Sequence, residues 1–432
     1  TNRLVTLAQL ESTRDEGFPY RLEQIYRSEA TLRAWSDRDL ENARRAKGSI
    51  VGTQNGRKAT AARLNGLLDP AFMKRKAEAE STMREKVRAN PEWKHADAAF
   101  TRIAEATKSS DEWETRMRML EGGDGFGTGL FAIARTLLRA GEERQKPNGE
   151  RLQEYQDTER VSLELDLFSD EPVYKNLETM RMTNALTFLC AKLGADDPTV
   201  EKVLAGKSPA ERAAELIQGT GLEDVALRRK LYDGGKEAVA GSNDPMIELA
   251  RLVDGEAREL RIKAEAAGET IAQAQRSISK ARFALQADST YPDATFSLRL
   301  SFGTLKGYRD NGEEVPFQTT FRGMQERHDK QGTVSPFDFS KEWEARSSSL
   351  DADTPLNFVS TNDITGGNSG SPVVNRKGEL IGLVFDTNGP GLVSDFAYTD
   401  VQGRCVSVHP AGIIDSLKKM YQADRVIAEL SL

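Results

Sequence analysis

A chain of 432 residues, 29% of them charged, is long enough for two or more domains with sizeable cores. The formal net charge of −7 is modest and mixed in sign, with no basic face and no interleaving of Lys/Arg with aromatics, which argues against nucleic acid as a partner. Mean hydropathy is −0.56 and no run approaches the roughly 18 apolar residues that span a bilayer, so membrane insertion is not expected.

From Thr1 to about Leu285 the pattern is helical: Ala, Arg, Glu, Leu and Lys dominate, and apolar positions recur at three and four. Breaks fall at "LLDPAF" (Leu67 to Phe72), "RANPEW" (Arg88 to Trp93), "LGADDP" (Leu193 to Pro198) and "GSNDPM" (Gly241 to Met246). Each joins helix-ending residues to an Asp-Pro or Asn-Pro start, which predicts several antiparallel helices and no single coiled coil. His95, in "PEWKHADAAF", reads as a surface or interhelical residue. "GGDGFGTGLFAIARTLL" (Gly122 to Leu138) has the look of a phosphate loop entering a helix but gives neither GxGxxG nor GxxxxGK[ST], and the segment before it is helical. It reads as a flexible connection between two helices. Cys190 and Cys405 fall in helical and strand-like segments; two cysteines make no disulfide framework, and their separation makes no metal site, so both read as small buried hydrophobes. No metal or other cofactor is expected.

After about Gln286 short β-runs with Gly, Asn and Asp turns take over, as in "ATFSLRLSFG" and "TPLNFVS", so the chain reads as α+β with a boundary at 285/286. His328, in "QERHDKQG", reads as part of a solvated loop, and His409, ending "GRCVSVHP", as a strand-end residue. Between them, "TNDITGGNSGSPVVN" (Thr361 to Asn375) sets one serine, Ser369, in a glycine-bounded turn followed by a strand. An acyl-transfer nucleophile needs a tight, exposed turn, and its transition state needs two backbone N–H groups aimed at the developing oxyanion. Gly367 can adopt dihedrals that turn its N–H inward, Ser369 supplies a second N–H and the attacking oxygen, and Gly370 leaves room for substrate. The alternative is a Gly/Ser/Asn hairpin turn without chemistry. "SPVVNRKGELIGLVFD" then reads as a β-hairpin, with a turn at Asn375 to Gly378 and a second strand ending at Phe385.

The Ser369 turn resembles the nucleophile turn of chymotrypsin-fold serine peptidases, with Asn368 where Asp is commoner. Three longer strings, Tyr291 to Tyr308, Thr354 to Asn375 and Gly378 to Asn388, resemble the bacterial serine dipeptidyl peptidases typified by dipeptidyl peptidases 7 and 11. Weaker likeness runs through Gly206 to Thr220 and Ser242 to Val253. The resemblance implies a helical domain over residues 1–285 capping the cleft of a chymotrypsin-like double β-barrel, whose C-terminal portion is 286–432. It implies release of dipeptides from oligopeptides with a free N-terminus, a homodimer, and location in the periplasm or at the surface of a Gram-negative cell. Asp386, Thr387 and Asn388 would line the specificity pocket. Asp386 would bind the substrate's α-ammonium, with Asn55, in "GTQNGRK", sharing that task. Thr387 occupies the position where Arg accompanies acidic P1 side chains and Gly bulky apolar ones. Being neither, it favours an uncharged P1, because a buried, unpaired P1 carboxylate would cost several kcal/mol. "NGPGLVSD" (Asn388 to Asp395) departs from the family's usual Asn-x-Glu run.

None of the three histidines matches the family's catalytic histidine, which, with the catalytic aspartate, precedes the serine in an N-terminal part of the barrel. The chain is therefore expected to be the C-terminal portion of a longer, exported enzyme and to be inactive alone. Two rivals remain open: an endopeptidase of the same fold, and a non-catalytic helical binding module.

Overall fold

The computed structural model describes residues 5–286, 298–332 and 337–430. Residues 291–297 of the Tyr291 to Tyr308 string lie outside them. Helix boundaries follow the local signals. The Leu40–Leu68 helix stops before Asp69, and the next runs Pro70–Ala89. Asp197 caps the helix Pro198–Leu204, its carboxylate accepting from the N–H groups of Thr199 and Val200, with Pro198 in the first turn, where a missing N–H costs nothing. Ser208 and Glu211 form a reciprocal capping box on Pro209–Gly219. Asp244 Oδ1 accepts from Met246 N at 2.9 Å where the 42-residue helix Pro245–Gln286 begins.

The chain divides into two compact units. One comprises Glu11–Arg57 and Ser81–Leu285; the other comprises Thr1–Leu10, Lys58–Glu80 and Gln286–Leu432. The first is helical, and its main core joins Phe126, Leu130, Leu137, Met182, Leu186 and Leu189 to Leu216, Ile247 and Val253. The connection after the Glu114–Leu120 helix is not the loose link expected from its glycines. Gly122, Asp124 and Gly125 donate N–H bonds back to Met117, Arg118 and Met119, and Phe126 is fully buried and stacked on Phe131 at 4.1 Å. A Cβ on Gly125 would crowd the Met119 carbonyl oxygen at 3.0 Å as well as Leu189 Cδ1 at 2.9 Å, so packing favours glycine there.

A charge network crosses this core. Arg139, 3% exposed, binds Glu121 and Asp254; Arg258 binds Asp254 at 2.6 Å and Glu143 at 2.8 Å. Burial alone would raise the Glu143 carboxyl, but bonds from Lys146, Arg258 and the Leu152 N–H outweigh it and hold the group down to about 2. Its folded pKa lies below the ordinary 4.5, so its contribution is complete above about pH 4.5 and is lost as pH falls toward 2. Glu143→Ala should destabilise this unit by about 1–3 kcal/mol, because it removes the acceptor of Lys146, of one Arg258 nitrogen and of the half-buried Leu152 N–H. Glu143→Gln should flatten the acid limb. Denaturant melts at neutral and acid pH check both; unchanged melting of Glu143→Ala would remove the network's role.

The second unit holds the strands. β1 (Tyr308–Asp310) and β2 (Glu313–Val315) make a two-stranded ribbon. β3 (Gln318–Thr320), β4 (Pro355–Ser360), β5 (Pro372–Val374), β6 (Leu380–Thr387) and β7 (Cys405–Val408) form an antiparallel sheet in the order β3-β4-β7-β6-β5. Among the described residues this sheet is open, with β3 and β5 at its edges. The region after 286 is also less purely β than its composition suggests. The run expected to be a solvated loop around His328 is the helix Phe321–Gln331, capped by Thr320, whose hydroxyl accepts from Gly323 N. His328 stacks on Phe339 at 4.1 Å and its Nδ1 meets the Phe337 carbonyl, contacts with residues beyond the helix that hold a polar segment in place. The same unit includes Lys58–Glu80: Arg63 pairs with Asp395 at 2.7 Å, and a Cβ on Gly66 would strike Val393 at 2.6 Å.

Candidate active site

The hairpin expected from sequence is present, and it positions the Ser369 turn. Asn375 Oδ1 accepts from the N–H groups of Lys377 and Glu379, and Gly378 takes φ +81°, closing the turn between β5 and β6. β5 and β6 then pair through Pro372↔Leu383. Just before β5, Gly370 N donates to Val384 O at 2.7 Å and Val384 N to Ser371 O at 2.9 Å, which pins the serine turn to the middle of β6. Asn368 braces it from inside: its Oδ1 accepts from Thr365 N at 3.0 Å and its carbonyl accepts from Ser371 N at 3.0 Å. Gly367 and Gly370 have φ of +99° and +86°, where any other L-residue is strained. Ser369 is exposed. Among the described residues its hydroxyl, its N–H and the Gly367 N–H have no hydrogen-bond partner. The turn thus leaves one nucleophilic oxygen and two backbone donors uncommitted within three residues.

β6 runs past this turn and carries Asp386 at its end. Plain alternation would put Asp386 on the face of Val384, which is buried. A bulge at Phe385 prevents this: Val384 pairs with Ser407 but Asp386 with Val406, so the carboxylate moves to the opposite face and is exposed. Asp386 Oδ1 accepts from Thr387 N at 2.8 Å. That bond orients the carboxylate and leaves Oδ2 without a partner among the described residues. Thr387, paired with buried Cys405, lies on the other face. Its hydroxyl donates to the Arg404 carbonyl at 2.9 Å, a bracing bond for the strand end.

That strand end has a support that sequence reasoning did not single out. Arg404 is 2% exposed, and its guanidinium donates to the carbonyls of Lys306, Gly307, Asp400 and Gly403. Asn388 Oδ1 accepts from Gly391 N and Arg404 N, and its Nδ2 donates to Gln402 O, closing the 388–404 loop. The only local signal was an arginine directly before an apolar strand, "CVSV", where a buried charge must find acceptors. Ser369, Gly367, Asp386 and Thr387 are therefore gathered on one hairpin and its flanking turn. Asn55 belongs to the helical unit, exposed on the Leu40–Leu68 helix.

The histidines have other employment. His95 is exposed in a short 3-10 turn, its Nδ1 at 3.1 Å from Glu92 O. His409 follows β7, and its Nδ1 accepts from Ala411 N at 3.1 Å, capping Pro410–Asp415. Burial lowers its pKa, which favours the neutral ring that this acceptor role requires. Both cysteines are free thiols, raised by burial.

A family model described as Peptidase S46 matches residues 1–432. Dipeptidyl-peptidase 7 of Porphyromonas gingivalis is 32% identical over 218 residues, which cover 47% of this chain and 30% of that protein. The Asp/Glu-specific dipeptidyl-peptidase of Shewanella putrefaciens is 27% identical over 339 residues, 70% of this chain and 46% of that one. The crystal structure of Porphyromonas endodontalis DPP11 in complex with the dipeptide Arg-Glu superposes with a TM-score of 0.78 at 20% identity, covering 99% of this chain and 62% of that chain. The matches thus span less than half of these two curated relatives and about three-fifths of the solved chain. No helix among the described residues is long and apolar enough to cross a membrane.

Proposed function

The chain belongs to the peptidase S46 family, and from that premise we propose that it is the nucleophile-bearing portion of a serine dipeptidyl peptidase that acts on oligopeptides with a free N-terminus. The carrying observation is the Ser369 turn, with its uncommitted hydroxyl and two uncommitted N–H groups pinned to the strand that ends in Asp386. Ser369 Oγ attacks the carbonyl after the second residue, and the N–H groups of Gly367 and Ser369 receive the oxyanion. Asp386 Oδ2 takes the α-ammonium. A carboxylate at that position favours substrates with a free amine and disfavours longer chains, whose neutral amide would leave it unpaired.

On this reading the general base and its orienting acid are supplied by sequence outside this chain, and within it the Nδ1 atoms of His328 and His409 are engaged by the Phe337 carbonyl and the Ala411 N–H. The missing sequence would also complete the barrel. Leu298, Leu300 and Phe302 alternate along a segment outside any strand and are 102%, 82% and 85% exposed, apolar side chains that a further element would cover. The enzyme is a periplasmic or cell-surface homodimer.

Relatives named as dipeptidyl-peptidase 7 and as Asp/Glu-specific both match, so P1 preference rests on the residues. Thr387 offers no cation, and its hydroxyl is tied to the Arg404 carbonyl. Small or medium uncharged P1 side chains should therefore outrank Asp and Glu. The experiment is a panel of unblocked peptides varied only at P1, incubated with the protein extended at its amino terminus, with products identified by mass spectrometry. Dipeptides from the free end, fastest for uncharged P1, are expected. Internal cleavage would support the endopeptidase reading instead, and a preference for acidic P1 would place a cation elsewhere in the cleft.

A further inference from the structure

The helical unit holds a cavity of about 600 Å³ whose lining includes none of the residues assigned to the peptidase site. That volume falls within the range of small-molecule sites, roughly 300–1,000 Å³. Leu32, Phe131, Met180 and Phe188 give it apolar walls, and the glycine-rich loop from Gly122 forms another side. The helix start beside that loop is already satisfied: the Thr128 hydroxyl accepts from Phe131 N at 3.2 Å and Glu178 Oε2 from Leu130 N at 3.3 Å.

The charges lining the cavity do not balance. Arg181 is paired with Glu178 at 3.0 Å, and the Asp124 carboxylate accepts from Tyr20 Oη at 2.8 Å and Gln24 Nε2 at 2.6 Å. Arg135 donates only to the carbonyls of Leu120 and Glu121. The Arg27 guanidinium makes no hydrogen bond among the described residues and lies over the Phe188 ring at 5.1 Å. Neither Arg27 nor Arg135 has an ion-pair partner among the described residues, and the Nε of each is buried without an acceptor. Burial, helped by the like charge of Arg139, pushes Arg135 down to about 10, so it remains cationic at neutral pH. The half-buried Arg27 and Arg135 bring two positive charges without a counter-ion among the described residues to these aromatic walls, an arrangement that an anion would complete.

We propose that this cavity binds a small organic anion, a carboxylate or phosphate on an apolar body, with Arg27 as its principal ionic partner. A guanidinium takes either group in a forked geometry, and Phe131, Phe188 and Met180 cover the remainder. The test is calorimetric titration of the chain with N-acetylphenylalanine, its neutral amide and phenyl phosphate. At least one of the two anions should bind saturably and the amide about tenfold or more weakly; which anion binds better identifies the charged group. Arg27→Gln, at a partly exposed position, should weaken binding about tenfold or more while circular dichroism stays unchanged. Ala132→Glu adds a carboxylate at an exposed wall position and should do the same without touching an arginine. Absence of saturable binding for both anions, equal affinity for the amide, or unchanged affinity in both variants would overturn the proposal.

Discussion

Replacing Ser369 by Ala in the protein extended to include the sequence that precedes Thr1 in its genome should lower dipeptide release by roughly four orders of magnitude or more, the scale on which a serine nucleophile is missed. The loss should fall on kcat, with substrate binding little changed, because the hydroxyl is exposed and braces nothing in the turn; Asn368, Gly370 and Val384 hold the backbone there. The chain by itself should show at most a trace of activity, since neither His328 nor His409 has Nδ1 free to be oriented by an acid. Strong turnover by the isolated chain would mean that one of these rings re-pairs to serve Ser369.

The second large effect concerns the free amine. In the extended protein Asp386→Ala should cut kcat/KM for unblocked substrates by roughly ten- to a hundredfold, the equivalent of about 1.5–3 kcal/mol for a charge-assisted contact, and should hardly change cleavage of N-acylated ones. The Phe385 bulge explains why the residue is available, since it moves Asp386 off the buried face of Val384. Equal losses on both substrate classes would show a structural role through the bond to Thr387 N instead.

The difference between what the sequence discloses and what it hides follows the range of the interactions involved. Helix starts at Pro198, Pro209 and Pro245 are local events, each written in an Asp or Ser cap followed by proline, and the hairpin at Asn375 to Gly378 is written in one Asn and one Gly. The Ser369 turn is local too, which is why its glycines could be read. By contrast, the Phe385 bulge depends on β7, the bracing of Thr387 and Asn388 depends on Arg404 about sixteen residues on, and the Phe321–Gln331 helix is held by Phe337 and Phe339. No periodicity records such partners. Nor does helical periodicity tell that the segment around Arg63 and Gly66 packs on Asp395 and Val393, more than three hundred residues away in sequence.

An active-site fluorophosphonate, reacted with the extended protein and located by peptide mapping, asks whether Ser369 is the activated nucleophile. A single adduct on Ser369, formed in step with loss of dipeptide release and absent from Ser369→Ala, is the expected result. Loss of activity with the adduct on any other residue, or an active protein that Ser369→Ala leaves fully reactive, would contradict it.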